Sequence, residues 1–287
     1  MRAGPKPPER RPTEYPTGYP DQMPAPTSTL TGWVRTPFTG AGITHNCFEK
    51  GDGPGVVLIP ELPGITPEVL GLADHLVEIG FTVVIPSPFG EPGRPLTAGY
   101  VTRELGRICV SSEFRAFAVG AHRPIADYVR AVAADLAGRT PGKGVGVIGM
   151  CFTGGFALAA AVDESVLAAV ASQPSAPFPV GRARQLDPGM SAAELDTVAA
   201  RAATGAVCAL GLRFSEDSTV PRARFGTLKA RLGDAFEVIE LDSSPGNPGG
   251  FPKNAHSVLT REVREIPGHP ALAARERVVQ FLRERLG

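Results

Sequence analysis

The sequence predicts a doubly wound α/β domain, a mostly parallel sheet with helices on both faces. Short, continuous apolar runs such as Gly55-Val56-Val57-Leu58-Ile59 and Gly144-Val145-Gly146-Val147-Ile148-Gly149 read as strands buried on both sides. Between such runs lie segments whose apolar residues recur at helical spacing, the alternation that builds a parallel sheet. Hydrophobic residues make up 43% of the 287, enough to fill a core above and below such a sheet. Residues 31–287 suit one domain rather than two.

Residues 1–30 stand apart as a Pro-rich extension. Eight of the 29 prolines fall in the first 26 residues, and so many missing N–H donors and fixed φ angles oppose helix and sheet ladders. An unstructured leader is the expectation and a partner-docking arm the alternative. The run 55–60 is the first expected strand. Thr66 then caps a helix with Pro67 in its first turn, and Val69, Leu72, Ala73 and Leu76 form its apolar stripe. Residues 81–86 make a second strand, and helices are expected over 103–117 and 125–136. The third strand, 144–149, runs directly into Met150-Cys151-Phe152-Thr153-Gly154-Gly155 and a small-residue helix. Strands at 166–172, 206–212 and 236–241 follow. A final helix carries Leu272, Val279, Leu282 and Leu286 on one face.

Charge and cysteine usage exclude several function classes. Lys and Arg total 29, as do Asp and Glu, so the formal net charge is zero. Such a chain offers no clustered positive charge to nucleic acid or an anionic membrane. No apolar run approaches the ~20 residues that span a bilayer, and no apolar core of a secretory signal is present at the N-terminus. The four cysteines, at 47, 109, 151 and 208, include no CxxC pair, which argues against a disulfide framework or a zinc ribbon. A cytoplasmic globular protein that needs no metal or organic cofactor is expected.

The segment 147–155 carries the most chemical information. A strand that turns sharply into a helix with a nucleophile at the turn is the nucleophile elbow of the α/β-hydrolase fold. Gly149 lets the strand end pass close to the helix, and the turn lifts the Cys151 side chain above the sheet. The Phe152 N–H, at a helix N-terminus, points to where an oxyanion forms. A thiolate at that position is a strong nucleophile near neutral pH. The bland alternative makes Cys151 a small buried residue in a Gly-rich turn. A phosphate-binding loop is excluded because no Gly-Lys-Ser/Thr follows.

In this fold an acid and then a histidine should follow the nucleophile. Beyond the strand at 206–212 comes Ser215-Glu216-Asp217-Ser218-Thr219-Val220-Pro221, at the sheet edge where α/β proteins place their sites. Asp217 is preferred to Glu216 because its shorter side chain suits a fixed turn. After the next strand, His256 lies in Asn254-Ala255-His256-Ser257 and can face Cys151 while the acid holds its other nitrogen. His45, His75 and His122 come too early in the chain. His269 is the serious alternative, although Gly268-His269-Pro270 looks like a turn leading into a helix. A second oxyanion donor should come from the end of the strand at 56–60. Pro60 and Pro63 lack an N–H, so Glu61 and Leu62 supply the nearest amides, and Leu62 is chosen.

These segments, with Ile59-Pro60-Glu61-Leu62-Pro63-Gly64 and Ala271-Leu272-Ala273-Ala274-Arg275-Glu276-Arg277, together resemble the dienelactone hydrolase family over residues 40–287. The resemblance implies a Cys151–His256–Asp217 triad, oxyanion amides at Leu62 and Phe152, and a Glu61 that interacts with the resting cysteine. Glu61 as a plain surface carboxylate is the alternative. The sequence departs from the family at Met150, often Tyr, and at Thr153, usually Gly, where a Cβ and hydroxyl enter a crowded turn. The family's substrate-carboxylate arginine falls on Thr260, one residue before Arg261, and no second such arginine can be chosen among Arg103, Arg107 and Arg115. Arg261 is therefore either a substrate-carboxylate ligand or an exposed charge paired with Glu262 or Glu265. The expected function is hydrolysis of a small-molecule ester or lactone through a thioester on Cys151. A catalytically silent ligand- or partner-binding protein of the same fold is the alternative, with Thr153 as its warning sign.

Overall fold

The computed structural model describes residues 24–287. Along them run β1 (Val34–Gly40), β2 (Ile43–Lys50), β3 (Gly55–Ile59), α1 (Pro67–Glu78), β4 (Thr82–Ser87), α2 (Ala98–Val110), α3 (Pro124–Arg139) and β5 (Val145–Met150). The second half holds α4 (Gly154–Ala160), β6 (Val166–Ser172), α5 (Arg182–Leu186), α6 (Ala192–Ala203), β7 (Cys208–Phe214), α7 (Arg222–Leu232), β8 (Phe236–Leu241) and α8 (Pro270–Leu286). The strands form one eight-stranded sheet in the order β1-β2-β4-β3-β5-β6-β7-β8. From β4 through β8 every neighbouring pair is parallel, whereas β2 is antiparallel to both β1 and β4.

Alternation within the continuous apolar runs fills a core on each face. In β3, Val57 and Ile59 join Val147 of β5 beneath α3 and α4. Val56 and Leu58 point the other way and pack with Ile148 under α1 and α8. A strand buried on both faces needs no polar residues, which is why these runs read so clearly. The Thr66 hydroxyl accepts the Val69 N–H at 3.4 Å and starts α1, the capping that its place before Pro67 predicts.

The structure differs from the sequence expectation in several places, each with a local cause. The β1–β2 hairpin was not expected, although the surroundings of Cys47 read as strand-like. Its two-residue turn puts Ala41 and Gly42 at φ values of 51° and 77°. Asn-Gly is the usual signal for such a turn, and Ala-Gly conceals it. In addition, β1 is a largely exposed edge strand interrupted by Pro37, so it lacks an apolar run. The helix expected over 103–117 is instead α2, because Thr97 accepts the Tyr100 N–H at 3.3 Å and begins it five residues earlier. Its continuation is blocked by Ser111, in an extended conformation, and by Arg115 at φ 47°. The strand expected from 206 starts at Cys208, since the Ala206 N–H closes the end of α6 on the Arg201 carbonyl at 3.0 Å. On α8, Leu272 is only half-buried, and the packed face runs through Ala271, Ala274, Val278, Leu282 and Leu286.

Of the expected extension, residues 1–23 lie outside the described residues. Residues 24–30 run along α1. The Ser28 N–H donates to the Pro67 carbonyl at 2.9 Å, and its hydroxyl donates to Asp74. The Pro26 carbonyl comes so close to the helix that a Cβ on Gly71 would lie 2.4 Å from it. Among the described residues no helix is long and apolar enough to cross a membrane.

Candidate active site

The end of β5 sets the geometry. Cys151 follows the strand at φ 54°, a left-handed conformation costing a non-glycine residue about 1–3 kcal/mol unless its surroundings enforce it. They do so by close packing. A Cβ on Gly149 would sit 2.3 Å from the Thr153 carbonyl, and one on Gly154 would sit 2.8 Å from Pro174. Thr153, the departure that looked disruptive, is fully buried and braces the turn. Its hydroxyl accepts the Met150 N–H at 2.9 Å. The same hydroxyl has the Met150, Ile59 and Pro60 carbonyls at 2.9, 3.2 and 3.3 Å as acceptors for its single proton. It therefore joins the cysteine turn to the end of β3.

Asp217 lies in the turn after β7, buried, while neighbouring Glu216 is exposed. One carboxylate oxygen accepts the Thr219 N–H at 2.9 Å and the Thr219 hydroxyl at 2.7 Å. The other is 2.6 Å from His256 Nδ1. Burial pushes the Asp217 carboxyl up, but the bonds from His256 and Thr219 outweigh it and hold the group below the usual carboxylate range. Burial likewise pushes His256 down. The charge of the adjacent Cys151 sulfur and the Asp217 carboxylate overcome this, holding the imidazole well above its ordinary value. With Nδ1 occupied by Asp217, Nε2 is the nitrogen left for Cys151. His269 is elsewhere, at the head of α8, its ring edge-on to Phe251 at 5.1 Å.

Leu62 follows β3 at the edge of the cavity, and Phe152 lies fully buried in the elbow directly after Cys151. Leu62 is the second residue of a turn closed by the Gly64 N–H on the Glu61 carbonyl at 2.8 Å, and its own N–H is not used by that bond. Phe152 is the second residue of the helical turn Cys151–Thr153, where no earlier carbonyl of the turn takes its N–H. Glu61 is not a surface carboxylate. It is buried and accepts from Gln173 Nε2 at 3.1 Å, the Ser257 hydroxyl at 2.9 Å and the Thr260 hydroxyl. These partners differ from the contact with Cys151 that the family resemblance implies. The Cys151 sulfur lies instead 3.4 Å from the Ser175 hydroxyl, and the Ser175 N–H donates to the Cys151 carbonyl at 2.9 Å.

Sequence reasoning missed Gln173, Ser175, Ser257 and Thr260. The first two lie just past the C-terminal end of β6, the rim where α/β sheets carry their sites, so position alone could have raised them. Thr260 takes the family's arginine position and spends it on holding Glu61. Arg261 is exposed at the mouth of the site. It enters none of the ion pairs among the described residues, and Glu265 is taken by Arg275 at 2.7 Å. Arg103 and Arg107 are committed to Glu104, and Arg115 donates to the His122 carbonyl at 3.2 Å.

Cys151, His256, Asp217, Glu61 and Leu62 line one cavity of about 860 Å³, the size range of small-molecule sites. Among the described residues no group of three or more His, Cys, Asp or Glu is placed to hold a metal ion. A cysteine at the turn after a strand and a histidine held by a buried carboxylate thus face one cavity.

Comparison with known proteins gives the same class. The model of the dienelactone hydrolase family matches residues 45–285. No curated protein matches the sequence. Among solved structures, a dienelactone hydrolase-like promiscuous phosphotriesterase from metagenomic libraries is similar at a TM-score of 0.60 and 18% identity, over 89% of this chain and 98% of that one. A Klebsiella pneumoniae protein assigned as a dienelactone hydrolase is similar at 0.59 and 17%, over 88% and 98%. The dienelactone hydrolase of Anabaena variabilis gives 0.53 and 14%, over 89% and 98%. At these identities the likeness is one of fold.

Proposed function

Since the chain belongs to the dienelactone hydrolase family, a family of hydrolases, we propose that it cleaves ester or lactone bonds by covalent catalysis at Cys151. The observation that carries the proposal is the Asp217–His256 pair at 2.6 Å, beside a cysteine held at positive φ over the cavity. In the first half-reaction the Cys151 sulfur attacks the carbonyl carbon, and the Leu62 and Phe152 amides hold the oxyanion. Protonated His256 gives its Nε2 proton to the leaving oxygen as the C–O bond breaks, leaving a thioester. In the second half-reaction His256 takes a proton from water, the resulting hydroxide attacks the thioester, and the acid departs as the cysteine is restored. Asp217 fixes the tautomer and steadies the imidazolium throughout. Glu61 ties the loops after β3, β6 and β8 together and so keeps the oxyanion amides facing the base. Thr153, the residue that motivates the silent-binder alternative, is buried in the elbow with its hydroxyl on the Met150 N–H, which supports the catalytic reading.

Activated esters test this directly. Cys151→Ala should abolish turnover, and mass spectrometry of wild type quenched with substrate should find one acyl group on the peptide containing Cys151. Alkylation that inactivates should track Cys151. Cys47, by contrast, is buried against the Tyr128 hydroxyl and its thiol is pushed up by burial, so it should stay unlabelled. Full ester turnover by Cys151→Ala would remove the covalent mechanism.

A further inference from the structure

We propose, resting on the reaction at Cys151, that the acyl part of the substrate is an uncharged hydrocarbon chain seated against α2. In a tetrahedral intermediate the carbon carries sulfur, oxyanion, leaving oxygen and acyl chain. The oxyanion is assigned to the Leu62 and Phe152 amides, and the leaving oxygen must face His256 to be protonated. The acyl chain therefore takes the side of the cavity away from His256.

The two sides of the cavity differ in chemistry. On the His256 side, the loops after β7 and β8 bring Glu216, Ser218, Lys253, Asn254 and Arg261. On the other flank of β5, the segment after β4 brings Leu96, and one face of α2 brings Val101 and Leu105, four residues apart and half-buried. Phe178 and Pro179 complete that wall. Although they follow β6, they are drawn across the site. The Phe178 ring packs on Phe152 at 5.9 Å and on Phe117, beyond α2, at 5.3 Å. Arg184 also donates to the Phe117 carbonyl at 2.9 Å.

Among the described residues no cation lines this apolar wall. The arginines of α2 turn to Glu91 and Glu104, away from the cavity. A carboxylate on the acyl chain would lose water there without gaining a partner, whereas each buried methylene should raise kcat/KM about fourfold. A substrate that carries a carboxylate on its acyl part is therefore the wrong one for such a wall.

p-Nitrophenyl acetate, butanoate and hexanoate, with the p-nitrophenyl hemiester of adipic acid, test this with one leaving group. Acetate to hexanoate adds four methylenes, so kcat/KM should rise at least about tenfold, and up to about 250-fold if all four are fully buried. The adipate hemiester, as long but charged, should fall at least about tenfold below hexanoate. Val101→Lys or Leu105→Lys, on a half-exposed helix face, should shrink the hexanoate-to-hemiester ratio toward one. If neither variant folds, the wild-type series still decides. Turnover of acetate with no gain from chain length, or preference for the hemiester, overturns this inference and leaves the chemistry at Cys151 standing. No turnover of any ester and no acyl group on Cys151 would overturn both.

Discussion

Glu61 and Asp217 are two buried carboxylates at the same rim of the sheet, yet they are bonded to opposite kinds of partner. Asp217 gives one oxygen to Thr219 and the other to His256, a group that changes charge. Glu61 is enclosed by a side-chain amide and two hydroxyls, none of which titrates near neutral pH. In the proposed reaction one carboxylate is thereby coupled to proton transfer, and the other is an anchor between loops. Burial alone does not separate the two roles, but the identity of the donors does.

The comparison is broken or upheld by neutral isosteres. Asp217→Asn keeps the shape but favours the wrong imidazole tautomer, so kcat should fall by about 10³- to 10⁴-fold. Glu61→Gln keeps two acceptor lone pairs for its donors, and kcat should fall less than about 10²-fold, with a lower melting temperature. His256→Ala should match Asp217→Asn or exceed it, whereas His269→Ala should mainly cost stability. Equal kcat losses in Asp217→Asn and Glu61→Gln would show that Glu61 takes part in the chemistry.

Titration sharpens the same contrast. The folded pKa of His256 is raised, so its contribution to stability is complete below about pH 6.5 and is lost as pH rises through the raised value. The folded pKa of Asp217 is lowered, so its contribution is complete above about pH 3.9 and is lost as pH falls through the lowered value. The pair should stabilise the fold most between about pH 3.9 and pH 6.5, where both contributions are complete. The melting-temperature gap between wild type and Asp217→Asn should therefore close at both ends of the pH range. Imidazole NMR should find the His256 pKa lower in Asp217→Asn and in Cys151→Ala. An unchanged value in both would mean that neither neighbour holds the proton on.

How much of this was legible depended on what each residue had to satisfy. The parallel strands announced themselves because burial on two faces leaves no room for polar residues. The elbow was readable because a cysteine between a strand and a Gly-rich helix start has few alternative roles. The effect of Thr153 could not be read, since only the fold reveals that its hydroxyl meets carbonyls of residues 59 and 60, more than 90 positions away. The partners of Glu61 were hidden for the same reason. Gln173, Ser257 and Thr260 are ordinary residues until three loops converge, and spacing along the chain carries no record of that convergence. The β1–β2 hairpin was invisible because its turn uses Ala41 where a stronger signal was available.

Thr153 extends the idea of anchors. Thr153→Val keeps the volume but strips the Met150 N–H of its acceptor, which should cost about 1–3 kcal/mol of stability. Thr153→Ser should recover most of that loss, and neither should lower kcat more than about tenfold, because the cysteine backbone is also held by packing at Gly149 and Gly154. A stability unchanged in Thr153→Val would mean that water replaces the hydroxyl.

The smallest effect expected is at Arg261. It stands on the polar side of the cavity with Lys253, exposed and outside every ion pair among the described residues, so removing it leaves no buried charge unpaired. Its field at the site is screened by water and salt, and exposed charges of this kind contribute about 0–1 kcal/mol. For neutral p-nitrophenyl esters, Arg261→Ala should change KM by less than about twofold. An anionic group on the alcohol part of an ester would face Arg261 and Lys253 directly. There the same substitution should raise KM by about three- to tenfold at low salt, and the difference should fade as salt is added. Steady-state kinetics on two esters sharing a hexanoyl group and differing only in the charge of the alcohol separates these cases. A larger loss on the neutral ester than on the anionic one would show that Arg261 supports the loop carrying His256, rather than meeting the substrate.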